Sequence, residues 1–280
     1  MSLALYGMDV GFYSHTGRYP LRTRCEMLAE LGFDATNLTL WSEAAWAELP
    51  ELDSVAAACG ISVASVYLTV DLAEPLDSEA STRALRLIAD RAGAPVELTF
   101  THSEPGLALS DPAGDEAASR FLDRALEVSG GDAELRLYPH FAFWMERVAD
   151  ALRLCRRYEG APVGLTFPAF HVYALEGTGF NAALAEAAPY LRGANTNGSR
   201  RLAGQYFPVT IEPVGEGDFD NFAFLGRLRE LGHEGTLGIQ AYGVGGDAYG
   251  QFRRSLAALR DIEARLDRHP AWAVTAAETL

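Results

Sequence analysis

Apolar and polar positions change period repeatedly along this chain. Short runs rich in β-branched and aromatic residues give way to longer runs with apolar positions three and four apart, from one end to the other. The short runs predict strands at Leu3–Met8, Asp34–Leu40, Ile61–Thr69, Pro95–Thr101, Ala133–Tyr138, Val163–Phe167, Tyr190–Thr196 and Thr236–Tyr242. The longer runs predict helices near Leu21–Leu31, Glu43–Cys59, Ser78–Arg91, Pro112–Ser129, Phe141–Tyr158, Asn181–Ala187, Phe219–Leu231 and Gly246–Leu266. Gly32, Gly60 and Gly232 stand between a helical run and the next strand, where a helix commonly stops.

Eight strand–helix pairs share 280 residues, or 35 each, about the size of one βα repeat. Strands that alternate with helices pair in parallel, so the pattern predicts an α/β chain folded as one (β/α)8 barrel, a TIM barrel, over residues 1–280. The competing architecture is an open doubly wound sheet. No Gly-x-Gly-x-x-Gly follows the first strand, which weakens its dinucleotide-binding form. The longest irregular stretches are Thr101–Asp111, Gly198–Gly217 and Tyr242–Asp247, and all three follow strands. A barrel places such loops on the face where active sites are built.

Composition then narrows the chemistry. Half the residues are hydrophobic (49%) and 22% are charged, an ordinary globular balance. All 23 basic residues are arginine, which excludes Schiff-base, pyridoxal phosphate and Walker-type phosphate chemistry, each of which needs a lysine amine. The net charge of −15 opposes nucleic acid and anionic membrane surfaces as partners. No apolar run is long enough to span a bilayer, and the N-terminal residues lack a basic stretch followed by an apolar core. Cys25, Cys59 and Cys155 have no metal-type spacing and read as reduced thiols, so a cytoplasmic location is expected.

The strand ends then supply the candidate residues. They bring Asp9 and His15, Trp41, Tyr67, His102 and Glu104, Tyr138 and His140, His171, Asn195 and Asn197, and Gln240 and Tyr242. Four of the six histidines fall there, while His233 and His269 read as surface residues. Trp41, Tyr67, Tyr138, Trp144, Tyr173 and Tyr242 read either as barrel packing or as a stacking floor for a sugar ring. The neutral amides Asn195, Asn197 and Gln240 suit hydroxyl recognition. Arg200 and Arg201 lie in the loop after the seventh strand, where an arginine can grip an anion or a diol. Glu212, late in that loop, is the nearest carboxylate candidate; most of the 38 acids read as surface.

Several segments resemble one family closely: Leu137-Tyr138-Pro139-His140, Val163-Gly164-Leu165-Thr166-Phe167, Asn195-Thr196-Asn197-Gly198 and the run from Gly238 to Asp247. The chain resembles the xylose isomerase-like TIM barrels, the sugar phosphate isomerase/epimerase group that also includes endonuclease IV. The resemblance covers almost the whole chain and is clearest from Leu135 to Leu266. It implies a small sugar-like partner. In that family one divalent metal is held by Glu, Asp, His and Glu on strands five to eight. The resemblance places these ligands at Tyr138, Pro168, Asn195 and Gln240, so the usual donors are missing. His140, His171 and Arg201 do match family positions beside substrate. The endonuclease branch is set aside for want of its extra ligands and because of the charge.

Three readings remain open. One is a metal-independent sugar isomerase or epimerase. There His140 and His171 exchange protons near neutral pH, and Tyr138, Asn195 and Gln240 stabilise an oxyanion. Trp41, Tyr67, His102, Asn197, Arg201 and Tyr242 would bind the substrate. The second is β-elimination of a keto-glycoside with a metal shifted onto His140 and His171, assisted by Glu212 or His102. The third is a sugar-binding barrel without catalysis. No cofactor is expected in the first, and a homodimer is the assembly left open.

Overall fold

The computed structural model describes residues 3–13, 16–91 and 94–273. Eight parallel strands close into a barrel in chain order, with β8 returning to pair with β1. They are β1 (Ala4–Gly7), β2 (Ala35–Thr39), β3 (Ser62–Asp71), β4 (Val96–Thr101), β5 (Leu135–Leu137), β6 (Val163–Pro168), β7 (Leu191–Thr196) and β8 (Thr236–Ile239). The predicted (β/α)8 architecture is therefore observed, and the open sheet is excluded.

The helices pack outside. They are α1 (Leu21–Leu31), α2 (Glu43–Glu48), α3 (Leu52–Ala58), α4 (Glu79–Asp90), α5 (Asp115–Val128), α6 (Val148–Arg157), α7 (Ala169–Glu176), α8 (Phe180–Ala187), α9 (Asn221–Glu230) and α10 (Ala248–Arg268). Side chains start several of them: Ser42, Ser78 and Asp220 accept from the N–H of Ala45, Ser81 and Ala223. The outward strand residues join the helices in one hydrophobic cluster containing Leu5, Leu38, Val66, Leu98, Phe100, Leu137, Leu165, Phe167 and Ile239. No helix among the described residues is long and apolar enough to cross a membrane.

The expected helices differ from the observed ones in three places. The run Glu43–Cys59 is two helices, because Pro50 has no N–H to continue the first. The helix expected from Phe141 starts at Val148. There Ala142 takes a left-handed backbone conformation (φ 66°) that a helix cannot hold. A helix not foreseen, α7, begins directly after Pro168 and ends at Gly177.

Inside the barrel the strands are polar where TIM barrels commonly bury branched apolar residues. The Thr166 hydroxyl donates to Glu97 Oε1 across the axis (2.8 Å). Arg136 Nη1 donates to Thr236 Oγ1 (3.3 Å) and Asn195 Nδ2 to the Tyr138 hydroxyl (2.9 Å). This polar axis explains why Val-Glu-Leu-Thr-Phe-Thr alternates, although a parallel strand buried on both faces usually reads as a continuous apolar run. Five acids among the described residues are buried, Asp9 and Glu97 at the barrel strands and Asp115, Asp150 and Glu263 on the outer helices. His233 is buried as well, with Nε2 3.4 Å from the Thr236 carbonyl oxygen. The three cysteines are free thiols.

The axis is filled where Tyr6 lies against Gly238. A Cβ at Gly238 would stand 2.4 Å from Tyr6 Cζ and 2.7 Å from its hydroxyl oxygen, and Tyr6 is itself buried. Gly238→Ala is therefore expected to cost about 1–3 kcal/mol through overpacking. Thermal denaturation should show a melting temperature several degrees lower, whereas an unchanged value would contradict this packing.

Candidate active site

The strand ends converge on a cavity of about 820 Å³ at the mouth of the barrel. Its polar lining includes His140, His171, Gln240, Thr69 and Thr210. A smaller pocket beneath shares Trp41, His140, His171 and Gln240 and adds Tyr67 and Tyr138. Seven of the expected residues therefore meet here: Trp41, Tyr67, Tyr138, His140, His171, Gln240 and Tyr242.

Their rings form a connected series. Trp41 stands edge-on to Tyr242 (5.8 Å between centroids) and to Tyr67 (6.0 Å), and Tyr67 stands edge-on to Tyr138 (5.0 Å). Tyr138 then meets His171 at 5.8 Å, and His171 lies 4.0 Å from His140. His140 in turn stacks on Phe143 at 4.0 Å. Asn195 is not in the cavity wall but holds Tyr138 from below. Because Asn195 Nδ2 donates to the phenol oxygen, the phenol hydrogen remains available to a ligand.

The two histidines carry complementary protons. His140 Nδ1 lies 2.8 Å from the Phe141 carbonyl oxygen, which can only accept, so Nδ1 carries the hydrogen. His171 Nδ1 lies 3.2 Å from the Phe141 N–H, which can only donate, so Nδ1 carries the lone pair. In the neutral rings His140 Nε2 is therefore an acceptor and His171 Nε2–H a donor. Burial keeps both neutral. It pushes the His140 imidazole down to about 4, opposed in part by its bond to the Phe141 carbonyl. It pushes His171 well below the usual range, and the neighbouring His140 adds to the effect. The expectation that both rings titrate near neutral pH is thus corrected: there both are neutral.

Other groups shift for the same reason. Burial raises the Tyr138 phenol, and Glu97 adds to this while Asn195 opposes it. Burial also raises Glu97, against Thr166 and Arg136. Asp9 is raised by burial although Tyr13, the Thr39 N–H (3.0 Å) and the Thr39 hydroxyl (2.7 Å) all donate to it. Asp9 thereby pins the turn after β1 to β2.

Besides Asn195, three expected ligand-binding residues do not line this cavity. His102 turns its Nδ1 to the Glu104 carbonyl (3.0 Å). Asn197 is buried and ties the loop after β7, with Nδ2 donating to the Gly198 carbonyl (2.6 Å) and to Ser199 Oγ (3.1 Å). The Arg201 guanidinium lies over the Tyr173 ring (4.1 Å) and donates to the Tyr173 carbonyl (3.0 Å). Glu212 accepts from Thr210 (2.7 Å) and pairs with Arg200 (3.4 Å), and Trp144 is core, packed near Phe100. His15 lies outside the described residues.

The apolar wall was not foreseen. It consists of Leu40, Phe141, Phe143, Phe170, Phe207, Val209 and Ile211. The signal was present in the loop after β7, where Phe207, Val209 and Ile211 alternate with Pro208 and Thr210. That stretch pairs with the start of the same loop through antiparallel bridges Arg201–Val209 and Gly198–Glu212.

No family model matches the sequence, and none of the curated proteins matches it. Solved structures do. One is a xylose isomerase-like TIM barrel/4-hydroxyphenylpyruvate dioxygenase fusion protein, at TM-score 0.74 and 16% identity over 96% of this chain. This chain spans only 44% of that longer one. Another is a xylose isomerase-like TIM barrel protein from Mycobacterium smegmatis in complex with magnesium, at TM-score 0.66 and 19% identity, covering 95% of this chain and all (100%) of that one. A third is 3-keto-D-glucoside 4-epimerase from E. coli, at TM-score 0.67 and 17% identity, covering 93% and 100%. At these identities the likeness is one of fold.

The magnesium in one of these structures makes the donor set here worth testing. Of the four positions to which the resemblance assigns ligands, Pro168 has no side-chain donor and Tyr138 is a buried phenol already bonded to Asn195. Asn195 Oδ1 and Gln240 Oε1 are buried oxygens without a protein partner, but both are neutral amides. Among the described residues no three His, Cys, Asp or Glu side chains gather as a metal site. The set His140, His171 and Glu212 or His102 is thus not assembled, and the residues present do not fit a hard divalent cation.

The neutral state of His140 has a thermodynamic consequence. Its folded value, about 4, lies below the ~6.5 of an unfolded histidine, so between these values the unfolded chain binds the extra proton. That part of the stability is present above pH ~6.5 and is lost as the pH falls towards 4. In His140→Gln the urea-unfolding free energy should fall less steeply over this window, by up to about one proton. Equal slopes in the two proteins would contradict a buried neutral ring.

Proposed function

We propose that this barrel is a carbohydrate-active enzyme of the sugar isomerase/epimerase type. It moves a proton next to the carbonyl of a sugar or polyhydroxy ketone without a divalent metal. The observation that carries the reading is the histidine pair, one ring offering a lone pair and its neighbour an N–H at the floor of a barrel mouth. Sugar epimerases recur among the solved structures of this fold, which supports the substrate class. The chain has no lysine, so an imine route is closed.

The chemistry follows from which atom carries each hydrogen. His140 Nε2 takes a proton from the carbon beside the carbonyl, so a C–H bond breaks and an N–H bond forms. The bonding pair moves into the enolate, and negative charge develops on the carbonyl oxygen. His171 Nε2–H donates to that oxygen, and the Tyr138 hydroxyl and the Gln240 amide assist. Burial strengthens each of these bonds at the moment charge appears. Protonation of the same carbon from the opposite face by a second donor gives an epimer; delivery to the former carbonyl carbon, with the neighbouring hydroxyl passing its hydrogen to the carbonyl oxygen, gives an isomer. Departure of a β-substituent, protonated by the His140 imidazolium as its C–O bond breaks, is the keto-glycoside lyase reaction. All three share the first step. Trp41, Tyr67 and Tyr242 supply ring faces and edges for the apolar parts of the substrate.

Exchange with solvent deuterium reads that shared step. Purified protein is incubated in D₂O with a panel of ketohexoses and 3-keto-glucosides, with and without EDTA, and carbon-bound deuterium is followed by NMR. Uptake at the carbon next to the carbonyl is expected, unaffected by EDTA. His140→Ala and His171→Ala should each slow it about 100-fold or more. Loss of uptake with EDTA would overturn the metal-free reading, and sugars that bind without any exchange would make the barrel a binding protein.

A further inference from the structure

The cavity is divided by polarity. Its hydrogen-bonding side chains are His140, His171, Gln240 and Thr69 at the strand ends, and Thr210 on the loop, whose hydroxyl already accepts from the Arg200 N–H (2.8 Å) and donates to Glu212 (2.7 Å). Above them the wall is Phe141, Phe143, Phe170, Phe207, Val209 and Ile211. Trp41 and Tyr242 stand at the rim, each 44% exposed. Phe207 is 55% exposed and lies 5.4 Å from Phe141. Isolated exposed apolar residues are ordinary, but here three exposed rings open onto one cavity.

A lone sugar does not suit that upper wall. Its hydroxyls radiate around the ring, and each one turned towards phenylalanine, valine or isoleucine would lose water without gaining a partner. The volume is also that of a pocket that encloses a drug-sized ligand, larger than one hexose fills. A flat apolar group matches the wall, because it loses nothing polar and gains ring contacts. The wall is also held in shape: Leu202 N–H donates to the Pro208 carbonyl (2.8 Å) and Thr210 N–H to the Arg200 carbonyl (2.9 Å), on either side of Val209. Such a prepared surface lowers the ordering cost of binding.

We infer that the site takes an amphipathic glycoside, its sugar ring on the histidine floor and an aromatic aglycone against Trp41, Tyr242, Phe141 and Phe207. The inference rests on the proposed sugar chemistry for the ring and adds the group attached to it. A polar floor under an apolar wall recognises both halves at once, so neither half alone should bind well.

The test compares 2-naphthyl β-D-glucoside, methyl β-D-glucoside and 2-naphthol by isothermal titration calorimetry, with the full chain and with Phe207→Ala. The naphthyl glucoside should bind about 30-fold more tightly than the methyl glucoside and about 10-fold more tightly than naphthol. Phe207→Ala should weaken naphthyl glucoside binding about fivefold or more; the side chain is largely exposed, so the variant should fold. Equal affinity for the two glucosides, naphthol binding as tightly as its glucoside, or no effect of Phe207→Ala would each overturn the inference. Deuterium exchange separates it from the reading it rests on. Tight aryl-glucoside binding without exchange on aryl 3-keto-glucosides upholds this site and removes the proton transfer. Exchange on methyl and aryl 3-keto-glucosides at the same kcat/KM keeps the proton transfer and removes this site.

Discussion

One residue's backbone sets the state of both histidines. Phe141 presents its carbonyl to His140 Nδ1 and its N–H to His171 Nδ1. A peptide group cannot exchange these roles, so the two rings are forced into opposite tautomers. The turn that holds Phe141 is itself well determined. His140 N–H donates to the Met145 carbonyl, Phe143 N–H to the His140 carbonyl and Met145 N–H to the Phe100 carbonyl, linking the turn to β4. Ala142 accepts a left-handed conformation within it, and its N–H finds the Glu146 carboxylate (3.0 Å). Strained backbone of this kind persists where the surroundings over-determine it.

The second constraint is the polar axis beneath. Glu97, Arg136, Thr166, Tyr138 and Asn195 face one another inside the barrel, where burial penalises charge and rewards hydrogen bonding. The result is a floor of protonated phenols, neutral imidazoles and amides. Such groups donate and accept hydrogen bonds without presenting a fixed negative charge, unlike the carboxylate cage a divalent cation needs. The absence of lysine and the nature of this floor both support the proposed proton transfer and oxyanion binding by neutral groups.

Much of the fold was legible because the period of apolar positions reports the path of a barrel strand directly. Eight strands and their order follow from it, and strand ends mark the mouth, which is why His140, His171, Tyr138 and Gln240 could be named together. The helix expected from Phe141 shows the limit. Phe141-Ala142-Phe143-Trp144 is apolar enough to start a helix, but its rings are divided between the cavity and the core, with Phe143 against His140 and Trp144 near Phe100. Asn197 and Arg201 show the same limit: strand position fixes where a loop begins, whereas local bonds to Ser199 and Tyr173 decide where its side chains turn. Glu97 was hidden because a carboxylate in sequence carries no mark of the Thr166 hydroxyl that will donate to it.

The account stands on opposite, neutral tautomers at His140 and His171. Nitrogen-15 NMR of histidine-labelled protein at pH 7, assigned with His140→Gln and His171→Gln, reads both rings directly. His140 should show a protonated Nδ1 and a bare Nε2, and His171 a bare Nδ1 and a protonated Nε2. Two rings of the same tautomer, or an imidazolium at either position, would contradict it.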